Sequence, residues 1–171
     1  TGVLSLAQDA WLDVAGNAVI GVAGEADLQA QGAQLTFRGD LALSANAWFE
    51  ATDGSAITIY GSFLNGTTNP SKMSLESAQV HFSGASGTAH TQWIAGAERG
   101  CEIAPSMSSN YVFGSLTVDA DNDLVLSDAN ATVGGALYVL GAVTFSGGID
   151  QITNRVTGNG LNIYYDPTVP A

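Results

Sequence analysis

Leu35-Thr36-Phe37-Arg38-Gly39, Ile57-Thr58-Ile59-Tyr60-Gly61, Val80-His81-Phe82-Ser83-Gly84 and Val143-Thr144-Phe145-Ser146-Gly147 are four renderings of one five-residue phrase. Positions one and three are apolar, position two is Thr or His, and position five is always Gly. Alternation at period two sends the first and third side chains to one face of a strand and the second to the other. The phrases start 22, 23 and 63 residues apart, and 63 is three times 21. A period near 21 or 22 residues is that of a solenoid coil, whose short strands bury their inward side chains only by stacking on the next coil. A fainter fifth copy is Ile20-Gly21-Val22-Ala23-Gly24.

Working outward from the phrase, each early copy has a strand-like segment ahead of it: Trp11-Leu12-Asp13-Val14, Asp27-Leu28-Gln29-Ala30 and Trp48-Phe49-Glu50-Ala51. A repeat therefore reads as strand, turn, strand, turn, with Gly16, Gly32 and Asp53-Gly54 at the first corner. Leu28, Ala30, Leu35 and Phe37 are expected inside, and Gln29, Gln34, Thr36 and Arg38 outside. The rhythm breaks between Ser86 and Gly114, a stretch assigned to an irregular excursion. Strands resume at Leu116-Thr117-Val118, Leu124-Val125-Leu126, Ala136–Leu140 and Leu161–Tyr165. The fold expected over residues 1–171 is one all-β domain, a right-handed parallel β-solenoid of roughly seven or eight coils.

Composition bounds the function. Sixteen acidic residues face four basic ones, Arg38, Lys72, Arg99 and Arg155, for a net charge of −12. No basic surface is available to neutralise phosphates, which excludes nucleic acid and argues against anionic membranes. No apolar run approaches the length of a membrane span. Hydrophobic residues are 46% of the chain, enough for a sizeable core. The start, Thr1-Gly2-Val3-Leu4, has no signal-peptide pattern and fits a processed chain or an excised fragment. The single Cys101 excludes an internal disulfide framework. With few lysines and an acidic, Thr-, Ser- and Asn-rich surface, the expected location is extracellular or at the cell surface. Asn65-Gly66-Thr67 and Asn130-Ala131-Thr132 are acceptor triplets for N-glycans.

The second half carries a resemblance. Ala97-Glu98-Arg99-Gly100, Phe113-Gly114-Ser115-Leu116-Thr117-Val118, Ala136-Leu137-Tyr138-Val139 and Leu161-Asn162-Ile163-Tyr164-Tyr165 are the matching phrases. Together they resemble the C-terminal β-solenoid region of large secreted bacterial surface proteins, adhesin-like and bearing a sorting tail or a dockerin. The resemblance implies a surface or extracellular structural role and supplies no catalytic residues. Neither a Pro-Glu-Pro tail nor a dockerin repeat stands in this sequence.

Asp119-Ala120-Asp121-Asn122-Asp123 is the phrase with most chemistry in it. Carboxylates at alternate positions can converge on a hard cation, which makes Asp119, Asp121 and Asp123 the calcium candidate. Leu124 and Asn130 stand where an EF-hand loop needs Gly and Glu, so the site is not of that kind. Glu98, Arg99, Cys101 and Glu102 lie in the irregular segment with His81 and His90 nearby in sequence, but no flanking pattern marks Cys101 as a nucleophile. His81 stands where sister repeats carry Thr and is expected to face outward. The aromatics Trp11, Trp48, Trp93, Tyr60, Tyr111, Tyr138, Tyr164 and Tyr165 are expected mostly in or over the core, with Trp11 and Trp48 at equivalent repeat positions.

The expected function is structural, not enzymatic: a module of a surface filament, surface layer or adhesive stalk. At both ends the sequence lacks an obvious lid, so the chain is expected to polymerise head to tail or to be one segment of a longer solenoid. The alternative is a carbohydrate-binding or carbohydrate-degrading domain of a secreted enzyme, with surface glycans as partners. Exposed aromatics in a column along one face favour the alternative; a plain Thr, Asn and Ser face favours the scaffold.

Overall fold

The computed structural model describes residues 2–22, 24–67, 69–101, 110–128, 135–146, 148 and 151–166. The first turn of the coil holds β1 (Gly2–Leu6), β2 (Trp11–Val14) and β3 (Ala18–Ile20). The second holds β4 (Ala26–Gln31), β5 (Gln34–Phe37) and β6 (Leu41–Leu43), and the third β7 (Ala47–Thr52), β8 (Ala56–Ile59) and β9 (Phe63–Asn65). A 3-10 turn at Pro70–Lys72 leads into β10 (Met73–Phe82), which runs across two faces before β11 (Ala89–Ile94) completes the fourth turn. The fifth turn repeats this with β12 (Val112–Val118) and β13 (Asp123–Asp128). The sixth has β14 (Ala136–Val139), β15 (Val143–Phe145), α1 (Ile152–Arg155) and β16 (Val156–Thr157), and β17 (Asn162–Tyr165) opens a seventh.

These strands stack into a three-sided parallel β-solenoid. The first face runs β1-β4-β7-β10-β12-β14-β17 and the third β3-β6-β9-β11-β13-β16. The second runs β2-β5-β8-β10-β12-β15. Every ladder between these strands is parallel, and each strand lies on the one a full turn away. The repeated phrase aligns as read from sequence: Leu35 pairs with Ile57, Ile57 with Val80, Val80 with Leu116 and Leu116 with Val143.

Two features of the expected repeat are corrected. Each turn has three faces, with three separate strands in the first three turns and not two, a third strand missed because β3 and β6 are three residues long and too short to display alternation. Among the described residues the coil makes six turns and one further strand, fewer than the seven or eight expected, because the later turns are longer. Ala26 to its partner Ala47 takes 21 residues, whereas Phe82 to its partner Val118 takes 36. The irregular segment is also narrower than 86–114, since β11 and the start of β12 lie within it as ordinary strands.

Alternation places the core. Phe37, Ile59, Phe82, Val118 and Phe145 form one buried inward column, with the half-buried Val14 at its N-terminal end. Full burial of such side chains stabilises by about 1.5–3 kcal/mol each. Leu28, Ala30 and Leu35 are buried as expected, and Gln29, Gln34, Thr36 and Arg38 face out. Phe63 stacks on Phe113 at 6.0 Å and meets Phe49 edge-on at 6.4 Å, filling the middle of the rod. The glycine that ends the phrase serves the corner between the second and third faces. A Cβ on Gly61 would collide with the Gly39 carbonyl carbon and the Asp40 carboxylate below it. That close approach lets Asn17 Oδ1 accept from Asp40 N at 2.9 Å, and Asp40 Oδ1 from Ser62 N at 2.8 Å, one turn passing to the next.

Candidate functional site

Three places carry more than core packing: the N-terminal end of the rod, the acidic corner at Asp119–Asp123, and the loop that crosses the first face near its C-terminal end. At the N-terminal end the inward positions of the first turn are Leu4, Leu6, Leu12, Val14, Ala18 and Ile20. Their partners one turn in, Leu28, Ala30, Leu35, Phe37, Leu41 and Leu43, are all buried. The first-turn residues are not: Leu4 is 48% exposed, and beside it the outward Val3 and Val19 are 59% and 58% exposed. Gly2, Val3, Leu4, Leu12, Ile20 and Phe37 are among the residues around an apolar hollow of about 450 Å³ there. At the other end a smaller hollow of about 150 Å³ lies among Val143, Phe145, Ile152, Val156, Ile163 and Tyr165.

The acidic corner does not gather its carboxylates on one point. Asp119 turns toward the second face, where its Oδ1 lies 2.7 Å from His81 Nε2 and its Oδ2 accepts from Ser83 Oγ at 2.6 Å. Burial pushes the Asp119 carboxyl up, but the hydrogen bonds from Ser83 and His81 outweigh it and hold it below the usual carboxylate range. Asp121, whose positive φ of 62° makes the turn, and Asp123 go the other way. Arg155, at the end of α1, donates to Asp121 Oδ1 at 3.0 Å and to Asp123 Oδ1 at 3.2 Å. Among the described residues no group of three or more His, Cys, Asp or Glu side chains is placed to hold a metal ion. The positive charge bridging Asp121 and Asp123 is therefore a guanidinium from the following turn. Calcium at this corner has to displace Arg155, so millimolar calcium is expected to leave the melting curve unmoved. Arg155→Gln is expected to cost about 1 kcal/mol, read as a lowered melting temperature, because the fork is partly exposed.

No family model, curated protein or solved structure matches the chain. The site must be read from its own chemistry. His90 is buried, its Nδ1 donating to the Gly61 carbonyl at 2.6 Å, and His81 is committed to Asp119. Cys101 is exposed, and neither histidine is hydrogen-bonded to it. Asn65 is buried, accepting from Thr67 N and Oγ1, so the first glycan triplet is turned into the rod. Asn130 lies outside the described residues.

Most of the eight aromatics lie in or over the core as expected, with Trp93, Tyr164 and Tyr165 partly buried. Trp11, Trp48 and Tyr60 face solvent, while Tyr111 and Tyr138 are buried. Trp11 and Trp48 are not equivalent: Trp11 pairs with Gln34 on the second face, and Trp48 with Asp27 on the first. Exposed aromatics thus do not line up along one face. What lines up outside the second face is Asp13, Thr36, Thr58, His81, Thr117 and Thr144, one per turn. Arg38 forks onto Asp13 and lies over the Tyr60 ring at 5.9 Å.

On the first face the segment Glu98–Gly100 clasps the last turns, a partnership that sequence reading missed. Tyr138 stacks on Tyr164 with ring centres 5.2 Å apart, and its hydroxyl accepts from Arg99 N and donates to Gly100 O. Burial pushes Glu98 up, but hydrogen bonds from Asn162, Tyr164 and Gly100 outweigh this and hold it low. The Glu98 hydrogen bond is the largest cause that pushes the Tyr164 phenol up to about 12, followed by burial. A folded value above the ordinary one of about 10 gives stabilisation that is complete below that pH. It fades as pH rises through about 12. An ultraviolet tyrosinate titration is expected to show late phenols at Tyr164 and at Tyr111, which burial pushes up, with Glu98→Gln moving only Tyr164 to lower pH.

Proposed function

We propose that this chain is a structural β-solenoid module that stacks end to end in an extracellular filament, surface layer or adhesive stalk, without catalytic chemistry of its own. The observation that carries the reading is the open N-terminal turn, whose inward leucines, valine and isoleucine stand where the next turn of a continuous core belongs. Apolar surface of this kind gains about 25 cal/mol per Å² when covered. The edge strands β1, β2 and β3 also offer unpaired backbone groups in the direction of stacking. A further turn of the same three-sided cross-section satisfies both needs, supplied by a second copy or by a longer solenoid of which this chain is one segment.

The outer surface supports the same role. The outward column of Asp13, Thr36, Thr58, His81, Thr117 and Thr144 is a polar hydrogen-bonding face rather than a line of aromatic platforms. The net charge of −12 opposes lateral clumping while leaving the ends apolar, which favours thin separate fibres. The resemblance of the second half to secreted bacterial surface proteins points to the outside of the cell. Electron microscopy and light scattering of the purified chain across a concentration series test the reading. Fibres or growing linear multimers are expected; a strict monomer at high concentration overturns end-to-end stacking.

A further inference from the structure

Midway along the rod, Gln92 stands on the inward side of β11, only 2% exposed. It pairs with Phe63 of the turn before and Leu126 of the turn after, in a column whose other members, Leu41, Phe63 and Leu126, are apolar. A carboxamide is tolerated in such a place only where both its nitrogen and its oxygen are hydrogen-bonded. Its Nε2 donates to the Trp93 carbonyl at 2.9 Å. Its Oε1 is buried and has no hydrogen-bond partner among the described residues.

A second buried amide is unevenly matched in the opposite sense. Asn65, inward on β9, accepts at Oδ1 from Thr67 N at 3.1 Å and from Thr67 Oγ1 at 2.7 Å. Its Nδ2 carries two hydrogens and, among the described residues, meets only the Met73 thioether at 3.6 Å, a weak acceptor. Asn65 and Gln92 both line a cavity of about 10 Å³, together with Met73, Ile94, Tyr111 and Phe113. That is room for about one water molecule and for nothing larger.

We propose that this cavity is a binding site for a single structural water, which accepts from Asn65 Nδ2 and donates to Gln92 Oε1. A donor on one side and an acceptor on the other select a ligand that is both. A cation would face the Asn65 N–H and an anion the Gln92 oxygen, so neither fits the pair. A bridging water serves nearly as well as a direct hydrogen bond. It also completes a buried polar chain through the third, fourth and fifth turns. The Tyr111 hydroxyl donates to the Thr67 carbonyl at 2.8 Å, Thr67 donates to Asn65, and the water carries the chain on to Gln92. This crossing lies where the short early turns give way to the long later ones, and the water pins the two amides there.

Gln92→Met tests the site, because a side chain of similar volume keeps the packing while removing the acceptor. Magnetic relaxation dispersion of the water oxygen counts the waters held longer than the protein takes to tumble. The variant, with native circular dichroism, is expected to hold one long-lived water fewer than the unsubstituted chain. An equal count in the folded variant overturns the proposal. A crystal structure of the unsubstituted chain at atomic resolution is the second measurement, independent of whether the variant folds. A water within hydrogen-bond distance of both Gln92 Oε1 and Asn65 Nδ2 supports the site. No density between them, a cation held by oxygens alone, or the two amides bonded directly to each other overturns it.

Discussion

Phe82→Asp is expected to abolish folding of the chain, read as loss of the β-sheet circular dichroism signal and of soluble expression. Phe82 is fully buried midway along the inward column, between Ile59 and Val118, with His90 against its ring at 5.3 Å. Removing the ring alone costs about 3–5 kcal/mol. An unpaired carboxylate in the same place adds several more, or forces itself to stay protonated. The sum reaches the whole stability of an ordinary domain, about 5–15 kcal/mol. The column also supplies its own control, since Val14 holds the same inward position on the half-buried first turn. Val14→Asp can turn its carboxylate to the water at the end of the rod and is expected to remain folded. Equal tolerance at Phe82 and Val14 would sink the assignment of the column to the core.

The second large effect belongs to the end of the rod. Leu4→Asp is expected to leave circular dichroism and the melting temperature of the isolated chain close to native, because Leu4 is already 48% exposed. Its effect on assembly is expected to be severe. An unpaired charge trapped between stacked copies costs about 2–5 kcal/mol. At a factor of ten for every 1.4 kcal/mol, the critical concentration for fibre formation rises roughly a hundredfold or more. Sedimentation of polymer against total concentration measures this directly. Fibres forming at the native concentration would show that the N-terminal turn is not the contact surface. Acid is a milder probe: Asp119 has a depressed carboxyl, so its share of stability is present above the ordinary Asp range and is lost as pH falls below it.

Much of the architecture is local and therefore readable in one dimension. The phrase Leu35-Thr36-Phe37-Arg38-Gly39 and its sisters carry alternation and a terminal glycine within five residues, and alternation alone sets which side chains turn inward. The spacing of the copies then forces stacking, because a four-residue strand has no other way to cover its apolar side. So the in-register column through Phe37, Ile59, Phe82 and Phe145 was legible before any coordinate.

What tertiary structure decided depends on where each corner falls, and corners are set by loop length rather than by local pattern. Trp11 and Trp48 sit in similar phrases, yet one extra strand per turn moves them to different faces. Arg155 reaches Asp121 and Asp123 across more than thirty residues because one turn of the coil brings distant sequence to within a strand spacing, and Asn162 reaches Glu98 across sixty-four because the Glu98 loop lies against the first face of the later turns. Such partners leave no trace in hydropathy or in spacing. An Asp-x-Asp-x-Asp phrase looks the same whether a cation or a guanidinium from the next turn neutralises it. Side-chain direction along a strand is a property of the backbone and is written in the sequence, whereas the side chain that meets it from the neighbouring turn is chosen only when the coil closes.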